Sequence, residues 1–162
     1  MTDSLLVVLD SAIAGTLLRL RGGKLRFDYD PEYRRRPVAT PLSLSMPTQV
    51  RSHADRVITP WLWGLLPDND AVLTRWARQF HVSASSPFSL LATPVGEDCA
   101  GAVRFAPPDE IDRVLGRSAE VTWLTDDDVA QCLRELREDS TASTTSPHPC
   151  RTASTRRSCG WP

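Results

Sequence analysis

The chain has 162 residues, of which 41% are hydrophobic and 24% are charged. This composition is typical of a soluble globular domain and excludes a collagen-like repeat or a wholly disordered chain. Nineteen basic and twenty acidic residues leave a net charge of -1, so the overall field gives no reason to expect direct binding to nucleic acid.

The N-terminal residues and the cysteines indicate the compartment. Residues 1–4 carry no basic charge, and the apolar run Leu5–Leu9 is too short for a signal peptide or a membrane span. The four cysteines are widely spaced and form no C-x-x-C pair, which favours reduced thiols over a zinc site or disulfides. We therefore expect a cytoplasmic protein with no membrane contact, no cofactor and no bound metal.

The first thirty residues predict antiparallel strands. Leu5–Asp10 and Gly15–Arg21 are rich in apolar residues, and a Gly-Gly pair precedes Lys24–Asp30, in which every second side chain is apolar. Pro31 should end the third strand, because proline restricts the residue before it. A loop with three consecutive arginines is predicted to follow.

Pro41–Pro47 alternates apolar residues with serines. This pattern predicts a short strand at a sheet edge, with Leu42, Leu44 and Met46 on one face and the two serines on the other. A helix should follow Thr59-Pro60 and run to about Leu66, because a threonine N-cap and a first-turn proline are typical of a helix start.

Two further helices are predicted before the chain returns to strands. The first should begin with an N-cap within Pro67–Asp70, because Val72, Trp76 and Phe80 then recur at helical spacing. A shorter one should begin at Ser86-Pro87. Strands are then predicted over Gly101–Phe105 and Glu120–Leu124.

A last helix should begin at Thr125, with its apolar stripe formed by Val129, Cys132, Leu133 and Leu136. The expected architecture is α+β: an antiparallel sheet of about five strands with inserted short helices and a C-terminal helix, over residues 1–138. Beyond it, Ser, Thr, Pro and Arg predominate, so residues 139–162 are predicted to be a disordered tail.

Three segments, taken in this order, resemble the HipA family of bacterial toxin–antitoxin kinases. They are Pro41–Gln49 (P-L-S-L-S-M-P-T-Q), Trp63–Asp68 (W-G-L-L-P-D), and Pro87–Leu91 (P-F-S-L-L) followed by Gly96–Val103 (G-E-D-C-A-G-A-V). The resemblance extends from about residue 5 to residue 137. It implies the N-terminal subdomain, which in that family packs on a larger C-terminal kinase domain.

The resemblance implies a non-catalytic module for protein interaction. The nucleotide loop, catalytic aspartate and magnesium ligands that phosphoryl transfer requires are not recognisable in the sequence. We therefore expect no kinase activity from the chain alone. The implied partners are a HipA-like kinase domain, a HipB-like antitoxin or a second copy of the chain.

Two alternatives remain open. The chain could be a small stand-alone antitoxin that acts on a separate HipA-like kinase. It could also be the inert remnant of a truncated kinase gene, with residues 139–162 read out of frame.

Seven residues are candidates for the interface. Trp61 and Trp63 would point roughly 200 degrees apart on a helix, so one of them should face a partner rather than the core. The serines at positions 43 and 45 either line an interdomain seam or lie on the solvated face of a strand. The arginines at positions 34 to 36 either contact an acidic partner or a phosphate, or lie in a solvated loop. The set is Arg34, Arg35, Arg36, Ser43, Ser45, Trp61 and Trp63.

Overall fold

The computed structural model describes residues 3–100, 102–116 and 124–138, without the side chains of residues 132, 135, 136 and 138. The chain divides into two compact units, residues 1–117 and 118–162. The first unit contains the sheet, and the described part of the second is one helix. The predicted tail, residues 139–162, lies outside the described residues, and its boundary stays a prediction.

The first unit is built on a five-stranded sheet whose order is β4-β3-β2-β1-β5. Each strand is antiparallel to its neighbours. The strands are β1 (Ser4–Leu9), β2 (Ala12–Arg19), β3 (Leu25–Tyr29), β4 (Ser52–Ala54) and β5 (Val103–Ala106).

Two tight turns join the first three strands, and both are formed by glycine or small polar residues. Asp10 and Ser11 connect β1 to β2 with φ angles of 49° and 63°, the left-handed pair of a two-residue hairpin turn. Gly22 and Gly23 adopt φ angles of 84° and 82° between β2 and β3, which glycine tolerates at little steric cost. The predicted N-terminal strands are therefore present, although β2 begins three residues earlier than expected.

Short helices fill the connections. They are α1 (Pro31–Arg34), α2 (Asp55–Trp63), α3 (Asp70–Phe80), α4 (Pro87–Leu91), α5 (Ile111–Gly116) and α6 (Asp126–Glu138). Two 3₁₀ turns span Pro94–Glu97 and Pro108–Glu110. The predicted α+β class, with an antiparallel sheet and inserted short helices, is confirmed.

One face of the sheet and the inserted helices form the hydrophobic core. Alternate residues of β3 are buried, as are Leu5 and Val7–Leu9 of β1, and helix α2 contacts β3 and α4. The most deeply buried side chains of this cluster include Leu5, Val7, Leu17, Phe27, Tyr29, Ile58, Leu62, Phe88, Leu90, Leu91 and Phe105. Burying a leucine or phenylalanine contributes about 1.5–3 kcal/mol, so this cluster is the main source of stability.

Helix starts were predicted with mixed success. Asn69 accepts from the amide of Ala71 and Ser86 from that of Ser89, so the starts of α3 and α4 are confirmed. Helix α2 was predicted wrongly, because it begins at Asp55 and Pro60 lies inside it. The Asp55 carboxylate accepts from the backbone N–H of Leu25 (2.8 Å) and the Thr59 hydroxyl (3.0 Å). A contact with another strand thus determines where the chain turns into this helix.

The predictions around residues 31–54 were right only in part. The arginine loop is present over residues 35–37, but Arg34 ends helix α1, whose N-cap Asp30 accepts from the amides of Glu32 and Tyr33. The predicted strand over Pro41–Pro47 is instead a tight turn, and the edge strand on that side is β4.

The C-terminal elements divide similarly. The strand predicted over 101–105 is present as β5, whereas 120–123 lie outside the described residues. Helix α6 follows Thr125, whose hydroxyl accepts from the amide of Asp128 (3.3 Å), as predicted. Val129 and Leu133 of its expected stripe are exposed, and the side chains of Cys132 and Leu136 are outside the described set.

Candidate protein-interaction surface

Residues 35–51 join α1 to β4 and form a segment, called the motif loop, that contains the P-L-S-L-S-M-P sequence. Tyr29 on β3 anchors the motif loop through two hydrogen bonds. The Tyr29 hydroxyl donates to the carbonyl of Met46 (2.6 Å) and accepts from the amide of Leu42 (2.9 Å). Because both bonds use one buried hydroxyl, the two ends of the central turn are held at a fixed separation.

Aromatic contacts hold the Tyr29 ring in place. It stacks on Tyr33 of α1 at 6.2 Å between centroids and meets Phe27 and His53 edge-on at 4.8 and 5.6 Å. Such pairs add about 0.5–1.5 kcal/mol beyond the area that they bury. Burial raises the pKa of Tyr29, an effect that the amide of Leu42 opposes, so the hydroxyl stays protonated and can donate at neutral pH.

Tyr33 is a second anchor. Its hydroxyl donates to the carbonyl of Thr40 (2.8 Å), and its ring lies beneath the Arg36 guanidinium at 5.7 Å. Burial is the main cause that raises the pKa of Tyr33, followed by the charge of Asp10. The first half of the motif loop is therefore fixed to α1.

The three predicted arginines have different roles. The Arg34 guanidinium donates to the carbonyls of Thr48 (2.7 Å) and Gln49 (2.9 Å), so it holds the second half of the motif loop. Arg35 pairs with Glu32 at 2.7 Å. Arg35 and Arg36 are exposed, whereas Arg34 is half-buried, so two of the three guanidiniums lie where a partner could reach them.

The centre of the motif loop is a four-residue turn, Ser43–Met46, which we call the Leu44 turn. The Met46 amide donates to the Ser43 carbonyl at 2.9 Å. The hydroxyls of Ser43 and Ser45 lie 3.0 Å apart, and the Ser45 amide donates to the Ser43 hydroxyl at 3.3 Å. Met46 is fully buried, but Leu44 is 98% exposed. The prediction that Leu44 shares the buried face of Leu42 and Met46 was therefore wrong.

The tryptophans lie in the helices. Trp76 of α3 is buried. Trp61 and Trp63 of α2 are both partly buried and pack against the core, and the Trp61 ring meets Phe105 at 6.0 Å. The structure thus places Arg34, Ser43 and Ser45 around one loop and the two tryptophans on one helix. Whether any of these residues contacts a partner stays a prediction.

Residues 5–106 match the family described as HipA N-terminal domain, which covers most of the first unit. The chain belongs to the HipA N-terminal domain family. A similar protein from Sinorhizobium fredii (strain NBRC 101917 / NGR234), named "Putative kinase Y4mE", is 32% identical over 101 residues, or 62% of this chain. The chain spans 24% of the length of that curated relative.

The region that matches the HipA N-terminal domain includes the motif loop, the helices α1 to α4 and strand β5. All the candidate interface residues lie inside it. The anchors Tyr29 and Tyr33 and the exposed Leu44 were missed by the sequence reasoning. A usable signal existed for Tyr29, because a tyrosine at a buried strand position needs a hydrogen-bond partner for its hydroxyl.

Among the described residues, His, Cys, Asp and Glu side chains form no group of three or more that could hold a metal ion. Burial raises the pKa of Cys99 to about 11, so the thiol is protonated and unreactive at neutral pH. Across residues 3–100, 102–116 and 124–138, no helix is both long and apolar enough to cross a bilayer.

A shallow depression of about 420 Å³ lies along the outer side of α3. It is lined by Asp70, Ala71, Thr74, Arg75 and Arg78, all from that helix. Enclosed ligand sites usually converge from several elements. This depression is therefore a weaker candidate for a functional site than the motif loop.

Proposed function

We propose that the chain is a non-catalytic, cytoplasmic interaction module of a HipA-like toxin–antitoxin kinase, and that it binds a HipA-like kinase domain. Membership of the HipA N-terminal domain family supports the association with such a kinase. The relative named as a kinase is about four times longer than the matched region, since the chain spans 24% of it. A kinase domain is thus the first partner to test.

The observation that carries the interaction role is the construction of the motif loop. Its backbone carbonyls at Thr40, Met46 and Thr48 are each bound by a side chain from β3 or α1. A loop held in this way loses little conformational entropy when it binds, so its contacts contribute more of their energy to affinity. This geometry therefore supports a role in binding another protein rather than a role in catalysis.

A HipB-like antitoxin is the second candidate partner. The exposed Arg35 and Arg36 could contact acidic side chains of such a protein. Direct contact with nucleic acid is not proposed, because the net charge is -1. The two alternatives predict different outcomes. A stand-alone antitoxin would bind a separate kinase and inhibit it, whereas an inert remnant would not bind.

The test combines binding with kinase activity. The full chain is titrated by calorimetry into the Sinorhizobium fredii relative from which the matching 101-residue segment has been deleted. The thermal melt of that partner is recorded first to establish that it is folded. We expect saturable binding. Binding that also inhibits phosphoryl transfer would favour the antitoxin role, and no binding at high micromolar concentration would favour the inert remnant.

The chain alone is also incubated with magnesium and labelled ATP. We expect no incorporation of phosphate and no nucleotide binding by calorimetry, because phosphoryl transfer needs a metal-binding carboxylate, a base and phosphate donors in one cleft. Transfer of phosphate by the chain alone would overturn the non-catalytic proposal.

A further inference from the structure

Leu44 is the most exposed large apolar side chain among the described residues, at 98%. A single exposed leucine is common on protein surfaces and by itself indicates nothing. Leu44 differs because its neighbours are fixed: Leu42 is half-buried, and Met46 is fully buried. The leucine therefore stands between residues that pack into the fold rather than on a free loop.

Two sets of hydrogen bonds hold the motif loop around Leu44. Tyr29 binds the backbone on both sides of Leu44, at Leu42 and at Met46. Arg34 binds the carbonyls of Thr48 and Gln49, further along the chain. These contacts fix the position of the turn before a partner arrives, which is the property of a side chain that enters a preformed pocket.

The segment of sequence that carries the turn is positively charged. Residues 33–54 contain Arg34, Arg35, Arg36 and Arg51 and no aspartate or glutamate. Arg35 is partly compensated by Glu32 of α1, whereas Arg36 lies over the Tyr33 ring and Arg51 is exposed. An exposed apolar side chain is thus presented from a basic segment of a chain whose net charge is slightly negative.

We propose that Leu44 inserts into an apolar pocket with an acidic rim on the HipA-like kinase domain. The inference rests on the proposed function and names the side chain and the partner chemistry. Charge complementarity selects the occupant, because acidic side chains around the pocket would pair with Arg36 and Arg51 while the pocket receives the leucine. A phosphate group would satisfy the arginines and leave Leu44 in water.

The test measures binding of the full chain to the kinase region described above by surface plasmon resonance. Leu44→Asp should weaken the affinity by about 10-fold or more, as expected for a central anchor. Leu44→Met should keep most of the wild-type affinity, because methionine fits apolar pockets of similar size. The matched control is Val38→Asp, since Val38 is 85% exposed on the same loop; its affinity should stay within about twofold of wild type.

Charge is tested with Arg36→Glu combined with Arg51→Glu. The association rate should fall several-fold, and its dependence on salt should become weaker. Melting temperatures of all variants are compared, and those of Leu44→Asp and Val38→Asp should match wild type because neither side chain packs in the core.

The outcomes separate this inference from the proposed function. If wild type binds and Leu44→Asp binds equally well, the insertion of Leu44 is wrong and the interaction module stands. Equal losses for Leu44→Asp and Val38→Asp would also overturn the specific role of Leu44. If wild type does not bind the kinase region, both proposals fail.

Discussion

Two turns in this protein have the same construction and different surroundings. In Ser43–Met46 and in Ser83–Ser86, the fourth amide donates to the first carbonyl, at 2.9 and 3.3 Å. In both, two serine hydroxyls lie 3.0 or 2.9 Å apart, and the third amide donates to the first hydroxyl at 3.3 Å. The sequences S-L-S-M and S-A-S-S thus form one local structure.

The two turns differ at their second and fourth positions. Ala84 is partly buried and packs against the core, whereas Leu44 is 98% exposed. Met46 ends the first turn inside the core, and Ser86 ends the second by capping α4. The serine pair therefore determines the turn, and its neighbours determine whether the turn packs inward or presents a side chain to solvent.

The largest expected difference is at the fourth position. Met46→Ala should lower the free energy of unfolding by about 2–5 kcal/mol, because it removes a fully buried side chain. Ser86→Ala removes only a helix cap and should lower it by about 1 kcal/mol. Urea denaturation followed by circular dichroism checks both. Similar losses would mean that the two turns are supported in the same way.

Tyr29→Phe tests the anchor that only the Leu44 turn has. Removing the hydroxyl leaves the Met46 carbonyl and the Leu42 amide without their partner, which should destabilise the fold by about 1–3 kcal/mol. Tyr33→Phe is the matched control, since its hydroxyl binds one carbonyl rather than two groups. The comparison fails if Tyr33→Phe destabilises the protein as much as Tyr29→Phe.

Alkaline unfolding measures the same hydroxyl. Burial raises the pKa of Tyr29 in the folded state, so its contribution to stability is complete below pH of about 10 and is lost as the pH rises through the folded pKa. Tyr29→Phe should therefore lose less stability than wild type between about pH 9.5 and pH 11. The test is the urea midpoint of both proteins measured across this pH range. Equal losses of stability in wild type and Tyr29→Phe would contradict the raised pKa of Tyr29.

Replacing the first serine of each turn should have the same small effect. Ser43→Ala and Ser83→Ala each remove one local hydroxyl acceptor, and each should lower the free energy of unfolding by about 0.5–1 kcal/mol. Thermal melts of the two variants provide the test. A much larger loss for one of them would show that its hydroxyl does more than support the turn.

The smallest effect is expected at the second position of the exposed turn. Leu44→Ser should change stability by less than about 0.5 kcal/mol, because Leu44 is in water already. Ala84→Ser, at the equivalent position, places a hydroxyl against the core and should be more destabilising. The contrast would be broken if Leu44→Ser lowered the melting temperature as much as Ala84→Ser does.

Much of the fold could be predicted from periodicity. Alternation over Leu25, Phe27 and Tyr29 identified a strand with one buried face, and the spacing of Val72 and Trp76 identified the buried side of α3. These patterns are reliable because core burial imposes them on every turn or pleat. The α+β class followed from their order along the chain.

The same reasoning was wrong at Leu44, because alternation does not distinguish a strand from a turn. The two serines bind their own backbone there, and local bonds of this kind compete with strand pairing. The roles of Arg34 and Asp55 could not be predicted either, since their partners lie 14 to 30 residues away in sequence. The sequence thus pointed to this loop but not to Leu44 as its exposed apolar residue, and the use of the loop as an interface stays a prediction.

The pairing of the first strand with the last has a consequence for folding. Strands β1, β2 and β3 are joined by short turns and can form as soon as the first thirty residues leave the ribosome. The second edge of β1 must wait for β5, because Leu6 pairs with Ala106 and Leu9 with Val103. Closing such a long loop is entropically costly and slow. During synthesis, therefore, an apolar strand edge stays open to pairing with neighbouring nascent chains until Val103–Ala106 has been made.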